Sequence, residues 1–384
     1  MLAHYKKNSS PFDTSKLFFH EDILERIRNL IKGDYFEPKD IPFPICVEVD
    51  LVSGCNQGCR WCQFKSWRKK NVFIAAEFLK SIFKDLRFGG TKAIELVGGG
   101  EPTLHPKIKE IVKSATKSGL EIGLITNGLL LPRIFSIANK LKYIRISLDA
   151  ATSETYQRTH YYFKNQAKEK KTQIIEPFLL IKENIKQLTK LIDRQKIGIA
   201  FLVTPWNYQE IESATKLAKE LGAGYIVFRP ANLRKGRHLK GCWEVIEKSL
   251  GAAQKYMNRN FRVFRSTASR WNLARFKKIG KSRFVGPCFG SLLFGVIEAN
   301  GNIPFCNIFR DNKKYRLGNI YDSQGSFKSV WQSVRHKRLL ERHNIERCGT
   351  ICKAKDYLLA IKQQKKNSLI KNKDKCDLAH VNFV

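Results

Sequence analysis

The sequence predicts an α/β protein in which parallel strands alternate with helices, and two observations support this class. Short runs of apolar and β-branched residues each end at a turn rich in glycine or small polar residues, which is the pattern of buried strands. Segments with the helical period of about 3.6 residues separate the later runs, as a crossover between parallel strands requires. At 384 residues with 43% hydrophobic content, the chain can bury a barrel-sized core and one smaller domain.

Six strands and three helices can be placed from these patterns. The predicted strands are Ile45–Leu51, Ala93–Val97, Leu120–Ile125, Tyr143–Ile146, Ile197–Val203 and Tyr225–Arg229. The predicted helices are Glu21–Ile31, Gln173–Ile192 and Gln209–Leu221, which carry apolar residues at helical spacing. The last of these helices lies between the fifth and sixth strands, where a parallel crossover needs a helix.

The most specific motif is a cysteine triplet directly after the first strand. Cys55, Cys59 and Cys62 have C-x3-C-x2-C spacing, and three thiolates can hold three irons of a cubane cluster while the fourth iron stays open for chemistry. Closed zinc sites need four ligands, and no fourth Cys or His lies nearby in the sequence. Trp61 stands before the third cysteine, where its ring could line an adenine pocket. A redox or zinc triplet with a remote fourth ligand is the alternative.

The triplet and the strand ends after it resemble the radical S-adenosylmethionine (SAM) superfamily. In that family the cysteine loop follows the first strand of a partial (β/α)6 TIM-like barrel, at the mouth where such barrels have their active sites. The second strand here ends in Gly98–Pro102, a segment that meets the SAM amino group in the family. The resemblance implies that Gly99 and Gly100 let ligand and backbone approach and that Glu101 offers an acceptor near a cation.

Two later strand ends agree with this resemblance. One strand runs into Thr126–Gly128 and the next into Ser147 and Asp149, which the resemblance places beside the polar groups of the ribose or the methionine. Arg158 matches an arginine that could pair with the SAM carboxylate. The alternative is that Thr-Asn-Gly is an ordinary turn and that the aspartate only caps a helix.

A second group of cysteines lies in the C-terminal third of the chain. A hairpin with its turn at Asn300–Gly301 would bring the first two together, and four thiolates suffice to close one cubane. Its members are Cys288, Cys306, Cys348 and Cys352. The segment resembles the SPASM and twitch extensions of radical SAM enzymes, which carry auxiliary iron-sulfur clusters. Because only Cys376 remains further on, the twitch form with one auxiliary [4Fe-4S] cluster fits better; a structural zinc site is the alternative.

These features predict five regions and a cellular location. The regions are an N-terminal helical segment at 1–44, a radical SAM core at 45–235, a helical connector at 236–285, a small α+β auxiliary-cluster domain at 286–355 and a basic tail at 356–384. No run of about twenty apolar residues appears, so we expect a cytoplasmic protein without membrane insertion. In a reducing compartment, ten cysteines point to metal rather than to disulfides.

The resemblance also implies a reaction and its partners. In the family, SAM binds the open iron, and one-electron reduction yields a 5′-deoxyadenosyl radical that removes hydrogen from an unreactive carbon. An auxiliary cluster could accept the electron left on the product, which favours a net oxidation. We therefore expect a peptide or a small sugar-like or nucleotide-like substrate, and an electron donor such as flavodoxin or ferredoxin.

The net charge of +36, from 70 basic and 34 acidic residues, raises the question of polyanionic partners. Basic runs at 65–70, 362–366 and 371–375 contribute to it. The alternative is a solvated lysine-rich surface, and no motif of an RNA-binding module is present. Nucleic acid is thus a partner that the sequence does not favour. An RNA-modifying radical SAM enzyme and a non-catalytic, metal-stabilised nucleic-acid-binding protein are the alternative functions.

Overall fold

The computed structural model of the protein describes residues 14–33, 35–64, 71–160, 176–231, 241–266, 287–344 and 380–383. It also describes Leu239, Trp271, Cys348, Cys352, Ala354, Tyr357, Leu358, Ala360 and Ile361. Cys376 and the three basic runs at 65–70, 362–366 and 371–375 lie outside the described residues. Within the described part of the chain, no helix is both long and apolar enough to cross a membrane.

Eight parallel strands of the described chain form one sheet, which curves as an unclosed partial barrel. The strands are β1 (Cys46–Asp50), β2 (Ala93–Val97), β3 (Glu121–Thr126), β4 (Tyr143–Ser147), β5 (Ile197–Val203), β6 (Tyr225–Pro230), β7 (Arg262–Arg265) and β8 (Phe294–Ile297). Their spatial order is β7-β6-β5-β4-β3-β2-β1-β8. The six predicted strands and the α/β barrel class are therefore confirmed.

Helices lie between most of the consecutive strands of the sheet, and further helices precede and follow it. They are α1 (Glu21–Lys32), α2 (Ala76–Phe88), α3 (Ile108–Lys117), α4 (Ser153–Thr159), α5 (Pro177–Leu191), α6 (Ile211–Glu220), α7 (Trp243–Gln254), α8 (Phe327–Trp331) and α9 (Val334–Arg342). Each crossover helix buries one apolar face, as α5 does with Phe178, Ile181, Ile185 and Leu188. These side chains and the outer residues of the strands form one continuous core.

Inside the barrel, two glycines make room for two buried tyrosine rings. A Cβ atom at Gly123 of β3 would collide with the ring of Tyr143, and one at Gly198 of β5 would collide with the ring of Tyr225. The two rings lie where β4 and β6 begin, at the end of the barrel opposite the cysteine loop. Both tyrosines are buried, so this end of the barrel is filled by side chains.

The predicted connector and the predicted hairpin both need correction. The connector contains helix α7, but it also contains β7, which pairs in parallel with β6. The expected hairpin across Asn300–Gly301 is wrong, because β8 pairs in parallel with β1 and not with the strand that follows it. The antiparallel pair consists instead of β9 (Asn302–Pro304) and β10 (Arg316–Asn319). The four residues of β8 are all buried, which suits a strand that covers the edge of β1.

Candidate active site

A cavity of about 460 Å³ opens at the carboxyl ends of the parallel strands, where β/α barrels have their active sites. The last residues of three strands line it, namely Val97 of β2, Thr126 of β3 and Ser147 of β4. All three cysteines of the loop after β1 line the same cavity: Cys55, Cys59 and Cys62. The structure thus brings the predicted triplet and the predicted strand ends together.

Hydrogen bonds attach the cysteine loop to helix α4. The backbone N–H of Arg60 donates to the carbonyl oxygen of Thr159 at 3.1 Å. The side-chain amide of Gln57 donates to the hydroxyl of Tyr156, which is buried. The loop is therefore held at two points on one helix, and its conformation depends on residues about a hundred positions away.

The glycines after β2 lie against the cysteine loop. A Cβ atom at Gly100 would collide with the carbonyl group of Gly54, and the N–H of Glu101 donates to that same carbonyl at 2.9 Å. The N–H of Gly99 donates to the carboxylate of Asp50. Gly100 is thus required by the neighbouring backbone, a reason that sequence reasoning did not give. Contact of Gly99 and Gly100 with SAM stays a prediction.

The Glu101 carboxylate joins the turns that follow β2 and β3. It accepts hydrogen bonds from the N–H and hydroxyl of Thr103 at 3.0 and 2.5 Å, from the Thr126 hydroxyl at 2.6 Å and from the Asn127 N–H at 2.7 Å. Burial raises the pKa of Glu101, although these hydrogen bonds oppose the shift. The carboxylate borders the cavity, but all four bonds are internal, and its predicted contact with a cation stays a prediction.

Asp149 holds the end of β4 against β5. Its backbone has a φ of 52°, and its carboxylate accepts from the N–H of Leu202 at 2.7 Å. Its other oxygen lies 3.7 Å from the imidazole of His160. Ser147 and Asp149 both line the cavity, as the sequence predicted for groups that meet SAM.

Arg158 does not line the cavity, and His160, which sequence reasoning did not single out, does. Arg158 is exposed and donates to the carbonyl oxygen of Trp206 at 2.7 Å, whereas the buried His160 lines the cavity. Burial alone lowers the pKa of His160, but the charge of Cys59 and the contacts with Asp149 and Cys59 outweigh it and raise the pKa to about 9. The pairing of Arg158 with the SAM carboxylate stays a prediction that this placement does not support.

Trp61 forms an aromatic wall of the cavity beside His160. Its ring is edge-on to His160, with ring centroids 5.1 Å apart, and stacks on Trp206 at 6.3 Å. The ring is almost fully buried yet lines the cavity, so one edge faces its interior. This position is consistent with the adenine contact that the sequence predicts.

A band of charged side chains lines the cavity below the cysteine loop; Arg145 is buried, and Glu95 and Arg229 are partly buried. Glu95 accepts from the Tyr143 hydroxyl and lies 3.4 Å from the guanidinium of Arg145. Arg229 of β6 lines the same interior. Glu95 and Arg145 thus compensate each other's charge inside the cavity, as charged side chains with little solvent exposure normally must.

Arg310, from the segment after Cys306, reaches back into this band. Its guanidinium pairs with Glu48 at 2.7 Å and with Asp50 at 3.1 and 3.2 Å. Burial raises the pKa of the Asp50 carboxyl to about 6, while the charge of Arg310 opposes that shift. Sequence reasoning missed this contact, and its only local signal is two carboxylates at i and i+2 in a strand that is otherwise apolar.

The second group of cysteines also comes together. Burial and, to a smaller extent, the charges of Cys352 and Cys348 raise the pKa of the Cys288 thiol to about 12. The pKa of Cys306 is raised well above its usual range by burial and by the charges of the same group. Cys348 and Cys352 are thus near enough to Cys288 and Cys306 to oppose the ionisation of those two thiols, although the predicted hairpin is not what assembles the group.

Both cysteine groups fit an iron-sulfur cluster in their chemistry. The described cysteines carry free thiols, and thiolates are the ligands of such clusters. Bound cations favour the thiolate form, which offsets the effects of burial and mutual repulsion. Among the residues that the structure describes, no three His, Cys, Asp or Glu side chains are compact enough to chelate a single metal ion.

Two family models match the chain. A model described as the radical SAM superfamily matches residues 49–218, and a model described as an iron-sulfur cluster-binding domain, SPASM, matches residues 288–353. The first range contains the cysteine triplet and the cavity-lining ends of β2 to β4. The second begins at Cys288 and includes the other three cysteines of its group.

Relatives with similar coverage carry different names. Mycofactocin maturase MftC of Mycobacterium tuberculosis is 24% identical over 317 residues, covering 80% of this chain and 75% of the relative. AdoMet-dependent heme synthase of Methanosarcina barkeri is 24% identical over 349 residues, covering 81% and 89%. The solved structure of Streptococcus suis SuiB bound to precursor peptide SuiA has a TM-score of 0.58 at 16% identity, covering 83% of this chain and 78% of SuiB. This last likeness shows a shared fold.

Proposed function

Because the chain belongs to the radical SAM superfamily and carries a SPASM-type iron-sulfur domain, we propose that it cleaves SAM at the Cys55–Cys62 loop and removes hydrogen from a peptide. The observation that carries the proposal is that Cys55, Cys59 and Cys62 line one cavity with the ends of β2, β3 and β4. SAM, a SAM-binding [4Fe-4S] cluster and an auxiliary cluster are the cofactors of such an enzyme.

Residues of the cavity would bind and orient SAM. The bound cluster and SAM together supply a 5′-deoxyadenosyl radical able to remove hydrogen from an unreactive carbon. Trp61 would lie against the adenine, and Ser147 and Asp149 would bond the polar groups of the ribose or methionine. We assign the SAM carboxylate to His160 and not to Arg158, because His160 is the one whose side chain lines the cavity.

Substitution of these two basic residues tests where the SAM carboxylate binds. We expect His160→Gln to weaken SAM binding by about tenfold, since a hydrogen bond to a charged group contributes about 1.5–3 kcal/mol. Arg158→Gln is the matched control and should leave SAM affinity within about twofold. Calorimetric titration of the reconstituted protein with SAM measures both. Weaker SAM binding by Arg158→Gln alone would show that Arg158, and not His160, binds the SAM carboxylate.

A peptide is favoured as the substrate by the names of the similar proteins. MftC is called a maturase, and SuiB was solved with a precursor peptide. The auxiliary cluster, which we assign to Cys288, Cys306, Cys348 and Cys352, would accept the electron left on the product and make the reaction a net oxidation. A small molecule is the second candidate substrate, because the similar heme synthase is named for the small molecule heme.

Isotope transfer separates the two candidates. Reconstituted protein is incubated anaerobically with SAM, reduced flavodoxin and either a deuterated peptide encoded beside its gene or a panel of deuterated small molecules. Deuterium in 5′-deoxyadenosine identifies the molecule from which hydrogen was removed. We expect transfer from the peptide. Deuterium transfer from a small molecule alone would contradict the proposed peptide substrate, while the proposed radical chemistry would stand.

A further inference from the structure

One buried histidine of the C-terminal domain touches a cysteine of the second group. His343 directly follows helix α9, and its N–H donates to the carbonyl oxygen of Leu339 at 2.9 Å. Its Nε2 atom lies 3.1 Å from the sulfur of Cys348, and both residues are buried. The cysteine sulfur stands here for the thiolate that would bind an iron of the auxiliary cluster.

Three aromatic rings hold the His343 imidazole in place. The ring centroids of Phe305, Phe309 and Tyr315 each lie 5.3 Å from that of His343. Phe309 and Tyr315 are stacked on each other at 3.8 Å, and both meet the imidazole edge-on. This packing fixes the orientation of the ring, so that the contact between Nε2 and Cys348 does not depend on a mobile side chain.

A thiolate carries no proton, so a hydrogen bond between Nε2 and the Cys348 sulfur requires the imidazole proton on Nε2, and that N–H has a definite electrostatic effect on the cluster. A reduced cluster carries one more negative charge than the oxidised cluster, so a hydrogen bond to a ligand sulfur stabilises the reduced form more. Hydrogen bonds to the sulfurs are among the main determinants of iron-sulfur reduction potentials. Resting on the proposed assignment of Cys348 to the auxiliary cluster, we propose that His343 is a positioning residue that donates a hydrogen bond to Cys348 and raises the cluster's reduction potential.

Two other roles for His343 fit the same geometry, and each predicts a different experimental result. His343 could ligate an iron directly, in which case its nitrogen would couple strongly to the cluster spin. It could also serve only to fill the aromatic cage, in which case removing it would lower stability and leave the potential unchanged. A test must therefore measure the potential and the nitrogen coupling as well as the iron content.

His336 offers a matched control in the same domain. It is fully buried and also packs against Phe305, with ring centroids 5.8 Å apart. Its Nδ1 atom bonds the carbonyl oxygen of Trp331 at 2.6 Å. Substituting His336 therefore perturbs a buried histidine beside the same ring without removing the contact to Cys348.

The test uses the full chain with Cys55, Cys59 and Cys62 replaced by alanine, so that the auxiliary cluster alone contributes to the signal. In this background we expect His343→Leu to keep its iron and to lower the midpoint potential by about 59 mV, a tenfold change for a one-electron couple. His343→Gln should give a smaller shift, and His336→Gln none. An unchanged potential in an iron-loaded His343→Leu protein would overturn the proposal.

Nitrogen-labelled histidine in the triple-alanine background, with His343 intact, supplies a second measurement that is free of the contact between His160 and Cys59 at the first cluster. Pulsed EPR of the reduced auxiliary cluster should show one weakly coupled histidine nitrogen. Strong coupling typical of a bound ligand, or no coupling, would contradict the hydrogen bond. If the triple-alanine background holds no iron, the proposed auxiliary site itself fails and this inference fails with it, whereas SAM cleavage by the wild-type protein tests the proposed function separately.

Discussion

Gly100 connects two parts of the site through backbone packing. Alanine at this position would drive its Cβ into the Gly54 carbonyl, and that carbonyl accepts the Glu101 N–H. We therefore expect Gly100→Ala to displace the cysteine loop and to lower the iron content of the SAM-binding cluster. Iron analysis and the visible spectrum measure the loss. Gly251→Ala is the control, because a Cβ there meets open space and should keep full iron.

Arg310 balances the negative charge of two buried carboxylates. Its removal should therefore lower the free energy of unfolding by an amount that depends on pH. We expect Arg310→Gln to lower the free energy of unfolding by about 3–5 kcal/mol, because Glu48 and Asp50 lose their cation. In the variant the folded-state pKa of Asp50 rises above its value of about 6. Since unfolded Asp titrates near 3.9, the folded variant takes up a proton first as the pH falls. The loss of unfolding free energy in the variant should thus be largest at pH 8.5 and smaller near pH 6.

Urea unfolding at the two pH values measures this loss of stability. Arg316→Gln is the control, because Arg316 is exposed at the start of β10. A deficit that is equal at both pH values would show that Asp50 does not titrate in the variant. A stability within about 1 kcal/mol of the wild type would show that the charge group is not held as the structure has it.

The sequence predicts single residues well where a motif is local and poorly where partners are distant. The cysteine triplet and the glycines after β2 were found because their chemistry is visible within a few positions. The structure pairs Glu101 with Asn127, Asp50 with Arg310 and Cys59 with His160. These partners lie tens to hundreds of residues apart, so no spacing revealed them. His160 was missed for this reason, and the nearby Arg158 was assigned its role.

At the scale of elements, strands were easier to predict than their pairing. An apolar run such as β8 predicts a strand, but the partner of that strand depends on which edge of the sheet is unpaired. Here the free edge was that of β1, and β8 pairs with it. The turn at Asn300–Gly301 suggested a local hairpin, whereas burial of all four β8 residues favoured the barrel edge. The strand β7 is short and carries two arginines, so its apolar signal was too weak to separate it from the connector.

The interior glycines of β3 and β5 give a prediction at this scale. We expect Gly198→Ala to lower the free energy of unfolding by about 1–3 kcal/mol, because its Cβ would overlap the buried ring of Tyr225. Gly251→Ala in helix α7 should instead be neutral or stabilising by up to about 1 kcal/mol. Denaturant titrations compare the two. Equal effects would mean that the barrel interior has room that the structure does not show.

At the scale of the whole molecule, the two ends of the described chain meet at the base of the barrel. His380 and Phe383 pack edge-on against Tyr143, with ring centroids 4.6 and 4.9 Å apart. Lys16 donates to the carbonyl oxygen of Phe383, and His20 bonds that of Val381 at 3.2 Å. This C-terminal turn closes the end of the cavity opposite the cysteine loop.

Removal of this turn should destabilise the barrel. We expect deletion of residues 380–384 to lower the unfolding free energy by at least about 3 kcal/mol, as the loss of a buried aromatic side chain does. Phe88→Ala is the control, since Phe88 is 91% exposed and should change stability little. Differential scanning calorimetry follows both variants. An unchanged transition in the deletion variant would place the turn outside the cooperative fold.

The most direct test of the central claim is the EPR spectrum of the reduced, reconstituted protein with and without SAM. The account predicts signals from two [4Fe-4S] clusters, of which one changes when SAM binds. Replacing Cys55, Cys59 and Cys62 by alanine should remove the SAM-sensitive signal and keep the other. Two results would contradict the assignment of the cysteine loop as the site of SAM cleavage. One is a SAM-sensitive signal in the triple variant, and the other is a wild-type spectrum that does not change when SAM is added.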